Sequence, residues 1–186
     1  MKLTSAFKHF CTITKHRHMV IRHCAKCGIF WQGLGHDLSK YTMIEFLPGA
    51  KFYQGTRSPN EMERETNGFS RAWMHHKGHN KHHFEYWTDY NCVTKQVEAV
   101  PMDENYIIEM FCDRIAASKV YNGKKYTDSD TLNYFLRGRG RHLMHAQTAA
   151  KLEYLLDMLA EKGEKETFAF VRAQHKSGKS LPLKEF

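Results

Sequence analysis

Proline is scarce in this chain, four in 186 residues, against a usual share of about one in twenty, so no proline-rich linker divides it. Alternation of apolar and polar residues is almost absent, which argues against sandwiches and barrels. No stretch approaches the roughly eighteen apolar residues of a membrane helix. The start, MKLTSAFKHFCTITKHRH, has charges and histidines where a secretion signal needs an apolar segment. Together these absences predict a soluble, cytoplasmic protein with no membrane partner. Cysteines are few and odd in number (Cys11, Cys24, Cys27, Cys92, Cys112), which predicts reduced thiols rather than a disulfide framework. CAKC at 24 to 27 has zinc-knuckle spacing, but no second pair follows, and two buried structural thiols are the simpler expectation.

What is present reads as helix. Hydrophobic residues make up 41% of the chain and aromatic ones 13%, enough for one core and a single domain over 1–186. The pattern predicts an all-α bundle of six to eight helices, with a metal-site core over about 5–122, C-terminal helices over 127–175 and a polar tail over 176–186. Thr4 or Ser5 can cap a first helix running to about Lys26. SPNE at 58 to 61 is a capping box with Pro59 at the first helical position. Ile107, Ile108, Phe111, Ile115 and Val120 recur at helical spacing after Pro101, and Gly138 and Gly163 end later helices. Leu152, Leu155, Leu156 and Leu159 read as core. The charge of +8 favours an anionic partner without naming it.

Three features carry chemistry. In LGHDLSK, His36 and Asp37 would point about 100° apart on a helix and serve adjacent ligand positions. The apolar Ile29, Phe30, Trp31 and Leu34 before them would draw Asp37 into a partly buried setting, where it needs a cation or donors. In SRAWMHHKGHNKHHFEYW, five histidines (His75, His76, His79, His82, His83) fall within nine positions. On one ideal helix His75 lies roughly 20° from His82, His76 lies equally close to His83, and all five span roughly 120° of one face. Neutral imidazoles so arranged suit iron, manganese, zinc or nickel. Two or three of the five are expected as ligands and the rest as their supports. Asp113 shares a helical stripe with Tyr106, Met110 and Ala117, where a carboxylate must be paired, protonated or metal-bound.

The order of His16 on an early helix, HDLSK at 36 to 40, the histidine block, and CDRIAASKV with Asp113 resembles the HD-domain superfamily of metal-dependent phosphohydrolases. HDLSK with HHKGHNKHHFEYW also resembles a family of uncharacterised proteins within reach of that superfamily. The resemblance implies an all-helical fold in which an early His, the doublet, one or two later histidines and a late Asp converge on one or two metal ions. Carried onto this sequence, the ligands are His16, His36, Asp37, His76, His83 and Asp113, with His75 and His82 as the competing register and His79 possible. His18 or His23 can replace His16, and Ser39 stands where the superfamily's motif has glycine.

Such a site implies attack of metal-activated hydroxide on a phosphate ester or nucleotide. Asp37 and Lys40 would take part directly, with Lys40, Lys77 or Lys81 neutralising phosphate charge and Glu85 as a candidate proton shuttle. The expected partner is a phosphorylated anionic small molecule. Two other readings use the same residues: a di-iron oxidase or oxygenase, and a non-catalytic histidine-rich module binding metal or nucleic acid. The basic turn RGRGRH at 137 to 142 belongs to the last, but no nucleic-acid-reading motif accompanies it, so nucleic acid is not the favoured partner.

Overall fold

The computed structural model describes residues 3–140 and 142–184. Eight α-helices are found among them: α1 (Leu3–Cys27), α2 (Phe30–Gly35), α3 (Met43–Lys51), α4 (Pro59–Asn67), α5 (Arg71–His79), α6 (Glu104–Asn122), α7 (Asp130–Gly138) and α8 (Ala146–Ser177). The expected all-α single domain is what forms. The one addition is a small antiparallel hairpin, β1 (Thr88–Asn91) with β2 (Gln96–Ala99), in register from Thr88 opposite Ala99 to Asn91 opposite Gln96. Its strands are four residues each, too short for a legible alternation.

α6 is the central helix. Ile107, Ile108, Met110, Phe111, Cys112 and Ile115 are buried almost completely, on more than one face, as expected of a helix surrounded by others. Against it pack Val20, Cys24 and Cys27 from α1 and the leucines of α8. Leu152, Leu155, Leu156 and Leu159 have no exposed surface, so that stripe is core and not a partner-helix surface. The CAKC thiols are core as well, with Cys27 Sγ 3.6 Å from Cys112 Sγ. Gly163, at φ 76°, kinks α8 into the two segments that the sequence predicts.

Several boundaries differ from expectation for local reasons. Ser58 caps α4 through the Asn60 N–H, with Pro59 in the first turn as read, while the Glu61 N–H goes to the Ser58 carbonyl. The central helix starts at Glu104 rather than Pro101, because Asp103 is still extended. The polar tail is anchored: Leu181 is buried, its N–H donates to Glu104, and Lys184 reaches Glu153 at 2.8 Å and Asp157 at 2.6 Å. No helix among the described residues is long and apolar enough to cross a membrane.

Candidate metal centre

The His36–Asp37 doublet lies outside any helix. α2 stops at Gly35, His36 is extended at φ −54° and ψ 127°, and Asp37 sits in the left-handed region at φ 55°, uncommon for any residue but glycine and best tolerated by Asn and Asp. This corrects the helical 100° picture: a tight turn, not a helix face, aims the two side chains. Arg17 of α1 clamps that turn, donating Nε–H to the His36 carbonyl at 3.1 Å and Nη2–H to the Leu34 carbonyl. α2 lies so close to α1 that a Cβ on Gly33 would stand 2.6 Å from Cys24 Cβ, so glycine is needed there. The aromatic residues before the doublet do not bury it, since Trp31 is 82% exposed. Asp37 is buried by the histidines around it.

The histidine block is likewise not one helix. α5 ends at His79 and Asn80 turns extended. Asn80 Nδ2 donates to the His76 carbonyl at 2.7 Å and to Ser39 Oγ at 2.8 Å, which caps the helix end and ties it to the doublet's turn. His82 and His83 therefore return toward the site from a loop. The outcome mixes the two registers: His76, His82 and His83 converge, while His75 and His79 stand outside. His75 donates to Glu45 at 2.7 Å, and the exposed His79 stacks on the His75 ring with centres 4.0 Å apart.

Asp37 divides the converging residues into two groups. Its Oδ2 faces His16 Nε2 at 3.6 Å and His36 Nε2 at 3.2 Å. Asp113 Oδ1 closes this first group at 2.9 Å from His16 and 3.5 Å from His36. Asp37 Oδ1 faces His76 Nε2 at 3.2 Å and His82 Nε2 at 3.5 Å, with His83 Nε2 2.8 Å from His76 Nε2. Each set, His16–His36–Asp37–Asp113 and Asp37–His76–His82–His83, brings its donor atoms close enough to hold a metal ion. Of the three candidates for the early ligand, His16 is the one in a group that could hold a metal. His23 instead meets the Cys112 carbonyl, and His18 enters neither group.

Two carboxylates that the sequence reading did not single out stand behind the histidines. Glu109 Oε1 accepts from His36 Nδ1 at 2.8 Å and lies 3.2 Å from His82 Nδ1, while Gln32 donates to its Oε2 at 2.6 Å. Glu45 accepts from His75 and His76 through their Nδ1 atoms, both at 2.7 Å. An imidazole whose Nδ1 donates to a carboxylate presents Nε2 as the ligand atom, with raised basicity. The third grouping, His36–His82–Glu109, is this support and not a separate ion site. A legible signal existed for Glu109, which lies four residues before Asp113 and on the same helical face.

Electrostatics agree with the geometry. Burial opposes ionisation of Asp37 and Asp113, but the surrounding imidazoles, and Lys40 beside Asp37, hold both carboxyls well below the usual range. Glu109 is likewise held at about 2, because the His36 and His82 N–H donors outweigh its burial. Burial depresses His16 and His83. Against the same burial, nearby carboxylates raise His36, and Asp37 with Glu45 raises His76.

Lys40 Nζ lies 2.5 Å from Asp37 Oδ2 and stays partly exposed. Lys81 lies over the Tyr86 and Tyr106 rings. Glu85 falls in a short 3-10 turn after the helix break, where burial raises its carboxyl and Arg114, His142 and Lys77 are its charged neighbours. It joins none of the three groups that could hold a metal.

A test of fit comes from buried atoms without an aligned hydrogen bond. His16 Nε2, His36 Nε2, His82 Nε2 and both oxygens of Asp37 are buried and make no aligned hydrogen bond. Buried polar atoms without partners are costly, and each needs a reason. Here they face one another, and imidazole nitrogens with a carboxylate are a donor set suited to divalent transition metals. The residues fit a metal.

Residues 5–158 match the model of a family described as a family of unknown function, DUF5662. The chain belongs to that family. Nothing among the curated proteins or the solved structures matches it. All members of the three groups fall inside the matched span of this DUF5662 protein, and the last turns of α8 fall outside it.

Proposed function

We propose that this DUF5662 protein is a metal-dependent hydrolase of phosphate esters, using one or two divalent transition-metal ions held by the groups that share Asp37. The observation carrying this reading is a set of five buried donor atoms without an aligned hydrogen bond, three imidazole nitrogens and the two oxygens of Asp37 that they face. The resemblance of its motifs to the HD-domain superfamily points the same way. A divalent ion supplies at such a site a Lewis acid for a phosphoryl oxygen and a source of hydroxide at neutral pH.

The chain's own residues do the rest. Glu109 and Glu45 fix the tautomers and rotations of His36, His82 and His76, so the donor atoms are preorganised. Asp37 offers one oxygen to each group. Lys40 holds an ammonium beside Asp37 at the partly exposed edge, where it neutralises phosphate charge as a substrate approaches. The net charge of +8 draws an anion toward the site.

Elemental analysis of the purified protein by plasma mass spectrometry, alongside Asp37→Ala and Asp113→Ala, tests the reading. About one or two transition-metal ions in the wild type, lost or reduced in both variants, followed by turnover of phosphate esters or nucleotides, is the expected result. Bound iron with oxygen uptake and no phosphatase activity would replace it with the oxidase reading. Metal absent, or kept by both variants, would leave a non-catalytic histidine-rich module as the better account.

A further inference from the structure

An apolar strip on α1 stands outside the core. Leu3, Phe7 and Phe10 fall within about 60° of one another round the helix, and all three are exposed, Leu3 by 87% and Phe7 by 68%. Phe46 of α3 lines the same open groove. α3 is locked beside α1 by Ser5 Oγ, which donates to the Ala50 carbonyl at 2.8 Å, and by Gly49, where a Cβ would stand 2.3 Å from His9 Nε2. Round α3, Met43 lies about 60° and Leu47 about 100° from Phe46, and both are exposed. Two locked helices thus carry one apolar surface from Leu3 to Leu47.

The solvent side of α1 carries charge of one sign. Its sequence holds Lys8, Lys15, Arg17, Arg22 and Lys26 and no Asp or Glu. Arg17 clamps the doublet's turn, and Lys26 lies over the Phe168 ring. Lys8, Lys15 and Arg22 remain, all exposed. Being seven residues apart, they form a row along the helix that drifts by only about 20° per step, about 110° round from the apolar strip. No carboxylate on this helix neutralises them.

Strip and row together select the partner. Two copies of the chain paired across this strip would bring both basic rows to one interface, so like charge opposes a second copy. A folded protein partner would need a pocket for each side chain that stands as proud of the surface as Leu3 and Phe7, whereas a fluid bilayer needs none. Leucine and phenylalanine on one side of a helix, with lysine and arginine beside them, are the make-up of helices that lie in a membrane interface. An anionic leaflet supplies the complementary charge. The lack of a spanning segment, from which the sequence predicts no membrane partner, does not bear on a helix lying on the surface.

We infer that Leu3, Phe7 and Phe10 of α1, with Met43 and Leu47 of α3, dock this protein on an anionic lipid bilayer, while Lys8, Lys15 and Arg22 sit level with the headgroups. The inference does not depend on the phosphohydrolase reading. Glu45, which supports His75 and His76, lies about 160° round α3 from both Met43 and Leu47. The docking face and the metal centre therefore use opposite sides of that helix.

Flotation of the full chain with vesicles tests this, using phosphatidylcholine alone and phosphatidylcholine mixed equally with phosphatidylglycerol, each at low and high salt. At low salt the anionic vesicles are expected to bind at least about tenfold tighter than the neutral ones, from about fivefold for each cation near the surface, and high salt should shrink that advantage. Phe7→Ser should weaken binding to the anionic vesicles by about tenfold, the effect of keeping one large apolar side chain out of the bilayer. Met43→Ser should act in the same direction from α3, and it decides the matter if Phe7→Ser melts early. Lys8→Gln combined with Lys15→Gln should remove most of the preference for anionic lipid. Binding to neither vesicle, equal binding to both, or binding that responds to the lysine changes but to neither Phe7→Ser nor Met43→Ser would each overturn the inference. So would a dimer in solution that Phe7→Ser splits, which would assign the strip to a second copy.

Discussion

Glu109 joins the two ligand groups from behind, so replacing it should weaken both at once. Its Oε1 takes His36 Nδ1 from the first group and His82 Nδ1 from the second. Glu109→Gln keeps an acceptor oxygen and the side-chain shape but removes the charge. A hydrogen bond to a charged group contributes about 1.5–3 kcal/mol and a neutral one about 0.5–1.5 kcal/mol, so each imidazole loses about 1 kcal/mol of support. That corresponds to about a fivefold to tenfold loss of metal affinity at each group, near the lower end of the roughly 10–100-fold seen when such supports are removed. Glu45→Gln, which supports His76 and His75 only, should weaken one binding step and spare the other. Titration of metal-stripped protein with Mn²⁺ or Zn²⁺ against a chelating indicator reads both steps. Two steps within twofold of wild type in Glu109→Gln would refute the assignment of Glu109 as a shared support, and the loss of a single step would refute the division into two groups.

Three further outcomes follow from the structure. Burial, aided for His9 by the Lys40 charge, holds His9 and His23 down at about 4. The unfolded chain therefore takes up protons first, and stability should be complete above pH 6.5 and fall as pH drops toward 4, by up to about 3 kcal/mol for each histidine. Urea denaturation across that window checks this, and a flat profile would contradict it. Leu156→Ala should lose about 2–5 kcal/mol of stability by leaving a cavity between α8 and α6, measured by the shift of a denaturation midpoint. Asn80→Ala removes the side-chain donor to the His76 carbonyl and Ser39 Oγ. It should lose about 1–2 kcal/mol and weaken the His76 group, while an unaltered melt and metal titration would show that the cap does not position the loop.

How legible the protein is from its residues varies by scale. The helices of the core announce themselves because burial imposes a period: Ile107, Ile108, Phe111 and Ile115 on α6 and the leucines of α8 stand where a 3.6-residue repeat puts them. Individual ligand types are equally visible, since a carboxylate such as Asp113 among apolar neighbours needs a partner whatever the fold. The aim of the side chains is not visible. His36, Asp37, His82 and His83 lie on turns, where no period relates position to direction. The register question between His75 with His82 and His76 with His83 presupposed a helix that Asn80 ends. Glu45 and Glu109 were hidden for a different reason: their role depends on which imidazole stands in front of them, and those imidazoles come from other helices.

The sequence by itself thus determined an all-helical chain, a core built on two apolar helices, and a stock of imidazoles and carboxylates too dense and too apolar in setting to be mere surface. It did so because local periodicity and the cost of burying polar groups act on every residue irrespective of its distant neighbours. Only the tertiary structure decided which of those groups meet, that Asp37 presents one oxygen to each set, that Glu109 stands behind both, and that a small cavity opens beside Lys40. Those facts depend on contacts between residues far apart in the chain, such as His16 with Asp113 and His36 with Glu109, which are fixed by the packing of α1 against α2 and α6 and have no signature in any one segment.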